Sequence, residues 1–298
     1  MDEQWDCIII GGGPAGLTAA LYLARYRRKI LVFDTKDSRA LLIPRSHNYP
    51  GFPQGISGKN LLKRLYIQVR NYEVPFIHQK VELLQHISKN NFVIITKDKK
   101  FYAKTVILCT GIKDIEPQLG NINDGIRRGL IRHCPVCDAF EVINKTVAVV
   151  GGDKKALKEA IFLSHYSSDI TLLTLNEVKW SRKELKQIRE SRIEIITAHI
   201  DKISLSLKKA KISFSNNVSL QFDYIYSALG CVKNNKLAYD LNAQQKKGEL
   251  VVNKKQETSI LGVYAAGDIV SGLNQICVAT SQAAIAATAI HRRLSINI

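Results

Sequence analysis

The feature that most constrains this chain is a strand–glycine–helix unit that occurs twice. In the first copy the apolar run Cys7 to Ile10 leads into Gly11, Gly13 and Gly16, and Pro14 to Arg28 reads as the helix that follows. Glycine at that spacing permits a tight turn, close approach of the backbone to a pyrophosphate and packing of helix on strand. The helix N-terminus, with Pro14 and Ala15 in its first turn, faces the phosphates. A second strand, Lys29 to Asp34, ends about twenty positions on in a carboxylate that can bond a ribose hydroxyl. The other copy runs from Thr146 through Gly151-Gly152-Asp153 into a helix over Leu157 to His165 and a strand at Ile170 to Thr174. Two such units predict an α/β fold of two Rossmann-like dinucleotide-binding domains, each three-layer ββα. The glycine pattern alone does not choose between FAD and NAD.

The order of the remaining segments predicts how the domains are threaded. Strands at Phe92 to Thr96 and Phe101 to Cys109 lie before the second unit, the latter running into Thr110 and Gly111. Strands at Ile193 to Ala198, Ile203 to Leu207, Lys211 to Phe214 and Tyr224 to Ala228 lie after it. The closing segment, Gly262 to Asp268 followed by an alanine-rich helix over Ser281 to Leu294, is again a strand, a turn with a carboxylate and a helix. It completes the first domain, so the second is inserted into the first. The expected division is 1–115 and 244–298 for the first domain and 116–243 for the insert, with Ile112 to Pro117 and Val232 to Lys247 as candidate hinges.

A second motif lies inside the insert: Cys134-Pro-Val-Cys137-Asp138. Of the six cysteines only this pair is spaced to act together, and Cys7, Cys109, Cys231 and Cys277 do not form a disulfide framework. A zinc reading lacks a second C-x-x-C, so no metal is expected. A local pair suits thiol–disulfide exchange, in which one sulfur attacks and the other resolves the mixed disulfide. Asp138 is the candidate acid/base beside the pair, against the plainer reading of an N-cap for the segment from Ala139. His133 could lower a thiol pKa, although a histidine beside a loop is more often simply exposed.

Composition bounds the remainder. With 298 residues, 46% hydrophobic content and no apolar run beyond strand or short-helix length, the chain reads as soluble, without a membrane span. The charged opening Met1 to Asp6 runs straight into the first strand and leaves no room for a signal peptide, so the cytoplasm is expected. The net charge of +17 is spread over many short clusters, an ordinary solvated basic surface or one that steers an acidic partner. Nucleic acid is not expected, because the clusters lack interleaved aromatics.

Taken together, Gly11 to Gly16, Asn48-Tyr-Pro-Gly-Phe52-Pro with Gly55 to Gly58, Cys134 to Asp138, and Gly262 to Asp268 resemble the low-molecular-weight thioredoxin reductase family over nearly the whole chain. The resemblance implies FAD in the discontinuous first domain, a nicotinamide-type second domain, a homodimer, and a dithiol passing electrons between flavin and a thioredoxin-like protein or small dithiol or disulfide. By the same resemblance Asp268 would hold the ribitol, Gln275 and Ile276 would sit near the flavin ring, and Asn48 would lie beside it. Cys137 would contact the flavin and Cys134 would be the interchange thiol.

The chain departs from that pattern where NADPH should bind. Asp153 stands at the middle glycine, Lys154 and Lys155 follow it, and no arginine appears after the next strand before Arg182. A carboxylate ~4 Å from a phosphate costs ~4 kcal/mol at an effective dielectric of ~20. Each missing charge-assisted bond removes roughly 1.5 to 3 kcal/mol. Compensation would need Lys154 and Lys155 to meet the phosphates, or Asn176 or Glu177 to hold an NADH ribose. The expectation is therefore a flavin and dithiol enzyme for which NADPH is doubtful. An acidic carrier such as ferredoxin could feed it, or a dithiol substrate with oxygen as acceptor. Alternatives are an ordinary NAD(P)H-dependent thioredoxin reductase and a non-catalytic FAD-binding docking protein.

Overall fold

A computed structural model describes residues 3–117, 119–120 and 122–295. Contacts group the chain into two compact units: one comprises the chain up to Leu41, Ser57–Lys113 and the chain from Lys233 on, the other Leu42–Ile56 and Asp114–Val232. The expected return to the first domain at 244 falls later than the 233 of this grouping. Leu237, Ala238 and Ala243 are buried in the first unit's core, which ties their short segment there.

The first unit is built on a seven-stranded sheet. Its strands are β1 (Gln4–Ile10), β2 (Ile30–Phe33), β3 (Phe76–Ile77), β4 (Leu83–Ser88), β5 (Asn91–Ile95) and β6 (Lys100–Leu108), in the order β3-β2-β1-β6-β5-β4. A further strand, Val263–Ala265, pairs in parallel with β6. β1 lies parallel to both β2 and β6, and its last four residues are buried, as a near-continuous apolar run in a covered parallel sheet requires. Helix α1 (Pro14–Arg25) packs against the closing helix Ile276–Ser295. Helix α1 ends three residues short of the expected Arg28 because Arg27 takes a positive φ of 57°, a left-handed step that a helix does not continue through. The closing helix begins at Ile276 rather than Ser281, its alanines Ala279, Ala283, Ala286 and Ala287 forming the buried face.

The second unit repeats the plan on a smaller scale. Its parallel sheet runs Glu194–Thr197, Ile170–Thr174, Val147–Val150, Tyr224–Ser227 and Ile131–Arg132. The helix Lys154–Ser164 follows Val147–Val150 and buries Ala156, Leu157, Ala160 and Leu163. A three-stranded antiparallel ribbon, Ile200–Leu205, Ala210–Phe214 and Ser219–Phe222, supplies the third layer. The fold is thus α/β with two Rossmann-like units, as the doubled sequence unit demands. Among the described residues no helix is long and apolar enough to cross a membrane.

Candidate active site

Each unit presents a turn at the C-terminal end of its central strands, where open α/β sheets bind ligands. In the first unit that turn is made by glycines with no room for a side chain. A Cβ on Gly11, whose φ is +117°, would lie 2.2 Å from the Cys109 carbonyl oxygen, and one on Gly16 would lie 1.7 Å from the Gly11 oxygen. Gly13 caps helix α1 in extended conformation and supplies no side-chain capping bond to the amides of the first turn. Those amides and the helix dipole are left to an external anion, so the cradle fits the pyrophosphate of FAD.

Other expected cofactor residues gather on the same unit. The Asp34 carboxylate lies against Gly12, where an added Cβ would come within 2.2 Å of its Cγ, and its Oδ1 accepts the Lys36 amide at 2.9 Å. Gly267 has a positive φ of 85° and packs by Ala15, and its amide donates to Gln282 Oε1 at 2.8 Å. Asp268 pairs with Arg39 at 3.5 Å, and Lys233 Nζ donates to its backbone oxygen at 3.2 Å. Thr110 donates to the Asn234 oxygen at 2.6 Å and accepts from the Asn234 side chain at 3.0 Å, with Gly111 next in a left-handed turn. Gln275 and Ile276 open the closing helix. Asn48 belongs to the other unit, where its Oδ1 accepts from Ser46 Oγ at 3.0 Å.

The second unit's glycine turn differs at one decisive atom group. Asp153 caps the helix Lys154–Ser164, its Oδ1 accepting the amides of Lys155 at 3.0 Å and Ala156 at 2.9 Å. The donors that a pyrophosphate would use are already bound to a carboxylate. The two lysines are engaged as well: Lys154 pairs with Glu184 at 3.1 Å and Lys155 with Glu159 at 3.8 Å. Glu184 closes a capping box with Ser181 on the following helix, Arg182–Glu190. The first amides and both lysines of this turn are thus engaged within the protein.

Beside this turn lies the dithiol. Cys134 and Cys137 are joined as a disulfide with Cα atoms 5.3 Å apart, at the start of the short helical turn Pro135–Asp138, which packs against the helix Lys154–Ser164. Asp138 does not cap the segment from Ala139, since its side chain makes no capping bond. Instead its Oδ1 accepts from the Tyr226 hydroxyl at 2.6 Å, and its Oδ2 pairs with Arg132 at 3.3 Å. Burial pushes the Asp138 carboxyl above its ordinary value, while the Arg132 charge and the Tyr226 bond oppose that rise and nearby Glu141 adds to it. The same burial, with the adjacent Asp138 charge, drives the Tyr226 hydroxyl well up.

His133 is not the exposed loop histidine expected. Its side chain is only 11% exposed, and Nε2 lies 2.6 Å from Glu116 Oε1, though off the line of a hydrogen bond. Glu159 stands near His133, and burial raises its carboxyl to about 7, against the pull of Lys155. Arg132, Tyr226, Glu116 and Glu159 were not singled out from sequence, and only the adjacency of Arg132 to the dithiol could have flagged any of them. Among the described residues no group of three or more His, Cys, Asp or Glu could hold a metal ion.

Comparison with known proteins matches residues 5–283 to the family described as pyridine nucleotide-disulphide oxidoreductase. A thioredoxin reductase of Rickettsia typhi is 31% identical over 88% of this chain and 89% of its own length. A ferredoxin–NADP reductase of Ligilactobacillus salivarius is 30% identical over 90% of this chain and 84% of its own. Among solved structures, thioredoxin reductase from Streptococcus pyogenes MGAS5005 superimposes with a TM-score of 0.91 at 25% identity, covering 99% of this chain and all of that one.

Proposed function

The chain belongs to the pyridine nucleotide-disulphide oxidoreductase family and, within it, to the thioredoxin-reductase-like flavoproteins acting on disulfides; from that premise we propose that NADPH is not its efficient reductant. The observation that carries this reading is the Asp153 carboxylate seated on the amides of Lys155 and Ala156. An anion in that place meets the dinucleotide with repulsion where the family offers attraction. Lys154 and Lys155 are committed to Glu184 and Glu159, so they do not offset it.

FAD, held by Gly11, Gly13, Pro14, Ala15, Gly16, Asp34, Thr110, Gly111, Gly267, Asp268, Gln275 and Ile276, supplies a two-electron couple when bound. The chain's own part is sulfur and proton chemistry. Cys134, the interchange thiol of this reading, attacks or is attacked by a thioredoxin-like protein or a small disulfide, and Cys137 resolves the adduct. Asp138 gives or takes the proton as the sulfurs change charge. Asn48 is retained beside the flavin ring in this reading, and a homodimer as the assembly.

Electrons then reach the pair from a small acidic carrier of the ferredoxin type. Two facts support this: the net charge of +17, which favours encounter with an acidic protein, and the likeness to a protein named ferredoxin–NADP reductase. An anaerobic titration of the purified flavoprotein tests it. One equivalent of NADPH is expected to leave the flavin absorbance in place while reduced ferredoxin bleaches it. Rapid bleaching by stoichiometric NADPH sinks the proposal, and bleaching only by dithiols replaces the carrier with a dithiol substrate.

A further inference from the structure

One side chain ties the dithiol turn together on both flanks. Arg132, two residues before Cys134, donates from Nε to the Gly129 oxygen at 3.0 Å and from Nη1 to the Asp138 backbone oxygen at 3.1 Å, and it pairs with Asp138 Oδ2 at 3.3 Å. Its guanidinium lies over the Tyr224 ring, 4.1 Å from the centroid, and its side chain is 13% exposed. A planar cation stacked on one face and hydrogen-bonded at its rim loses little freedom on binding, which favours it over lysine here. Tyr226 from the strand Tyr224–Ser227 takes the remaining carboxylate oxygen, Oδ1. Asp138 is therefore gripped at both oxygens, from two strands.

We propose that Arg132 is the positioning residue of the dithiol centre, clamping Asp138 so that it meets the reduced pair as a base. The proposal deepens the flavin–dithiol reading above and rests on it for its catalytic meaning. Oxidation of the Cys134 and Cys137 thiols forms the S–S bond and breaks two S–H bonds, releasing two electrons and two protons. Bound FAD would take up the two electrons with one proton, and Asp138 takes the other; in the reductive direction of the reading above the same exchange runs backward and Asp138 returns its proton. The groups that face Asp138 are Arg132, Tyr226 and Glu141. Burial and Glu141 favour the protonated carboxyl, and Arg132 and Tyr226 oppose them, so removing either of the latter tips the balance toward the proton.

The test reads the proton on Asp138 directly. In protein labelled with carbon-13 aspartate, the infrared band of protonated Asp138 is identified by its loss in Asp138→Asn, and its pH midpoint is followed. Arg132→Met is expected to raise that midpoint by about one to two pH units, Tyr226→Phe by less, and Arg132→Lys to fall between wild type and Arg132→Met. The acid limb of dithiol-driven flavin bleaching moves up by the same interval, so that activity lost at neutral pH returns in alkali. A midpoint unchanged in folded Arg132→Met, or a bleaching rate reduced equally at every pH, overturns the proposal. Should Arg132→Met fail to fold, unchanged midpoints in Arg132→Lys and Tyr226→Phe overturn it equally. A wild-type flavin that neither a dithiol nor reduced ferredoxin bleaches at any pH overturns the functional reading instead, while the infrared shift is still scored by itself.

Discussion

The two strand–glycine–helix turns of this chain start from nearly the same sequence and end as opposites. At Gly13 helix α1 begins without a side-chain cap. At Asp153 the corresponding helix begins with its amides already bound to a carboxylate. In the reading proposed above the first turn is completed by a ligand, whereas the second caps itself, because an N-terminal carboxylate satisfies the same donors and the same dipole that a phosphate would. A helix N-terminus is thus a single anion site, and a side chain that fills it removes it from ligand chemistry.

Exchanging the two devices is the most direct way to break this comparison. Gly13→Asp is expected to stabilise the apo protein by only a few tenths of a kcal/mol through the new cap. It should also weaken flavin binding by about a thousandfold, from a repulsion of ~4 kcal/mol. Flavin retained per chain and the apo melting temperature measure the two effects, and stoichiometric flavin in the variant would end the argument. The reciprocal Asp153→Gly should cost only a few tenths of a kcal/mol as a cap, and it should raise NADPH affinity about a hundredfold, read from nucleotide fluorescence. Part of the deficit is expected to stay, since Lys154 and Lys155 keep their partners.

The smallest effect concerns Glu159, which holds one of those lysines. Its carboxyl is raised to about 7 from an ordinary 4.5, so the folded protein holds a proton there that the unfolded chain has released. The stability this contributes is complete below pH ~4.5 and is lost as pH rises through about 7. Glu159→Gln, which mimics the protonated form, should flatten this slope and be the more stable protein above pH 7 by roughly 1 kcal/mol, discounted for partial access to water. Parallel denaturation curves from pH 4 to 8 would refute it.

What could be read in the sequence, and what could not, divides along the range of the interactions. The glycine spacing, the dithiol and the anomaly at Asp153 are local, each set by neighbours within a few residues, and the sequence displays them fully. The clamp on Asp138 joins Tyr226 to a residue 88 positions away along the chain, and nothing in either neighbourhood announces the pairing. His133 was read as exposed because Glu116, which covers it, belongs to a different local segment. The segment Leu42–Ile56, with Asn48, precedes the insert in sequence yet groups with it in space, a placement that linear order conceals. Local chemistry dictated the turns, and tertiary packing alone supplied the electrostatics around the dithiol.

The strand Val263–Ala265 bears on how the protein is made. It pairs with β6 but is translated only after the entire second unit has emerged. Non-local pairings of this kind are closed late and at a cost in chain entropy. The dithiol unit therefore has all its strands in hand while the flavin unit still lacks one, and a ribosome stalled short of Val263 would display a finished exchange centre on an unfinished cradle.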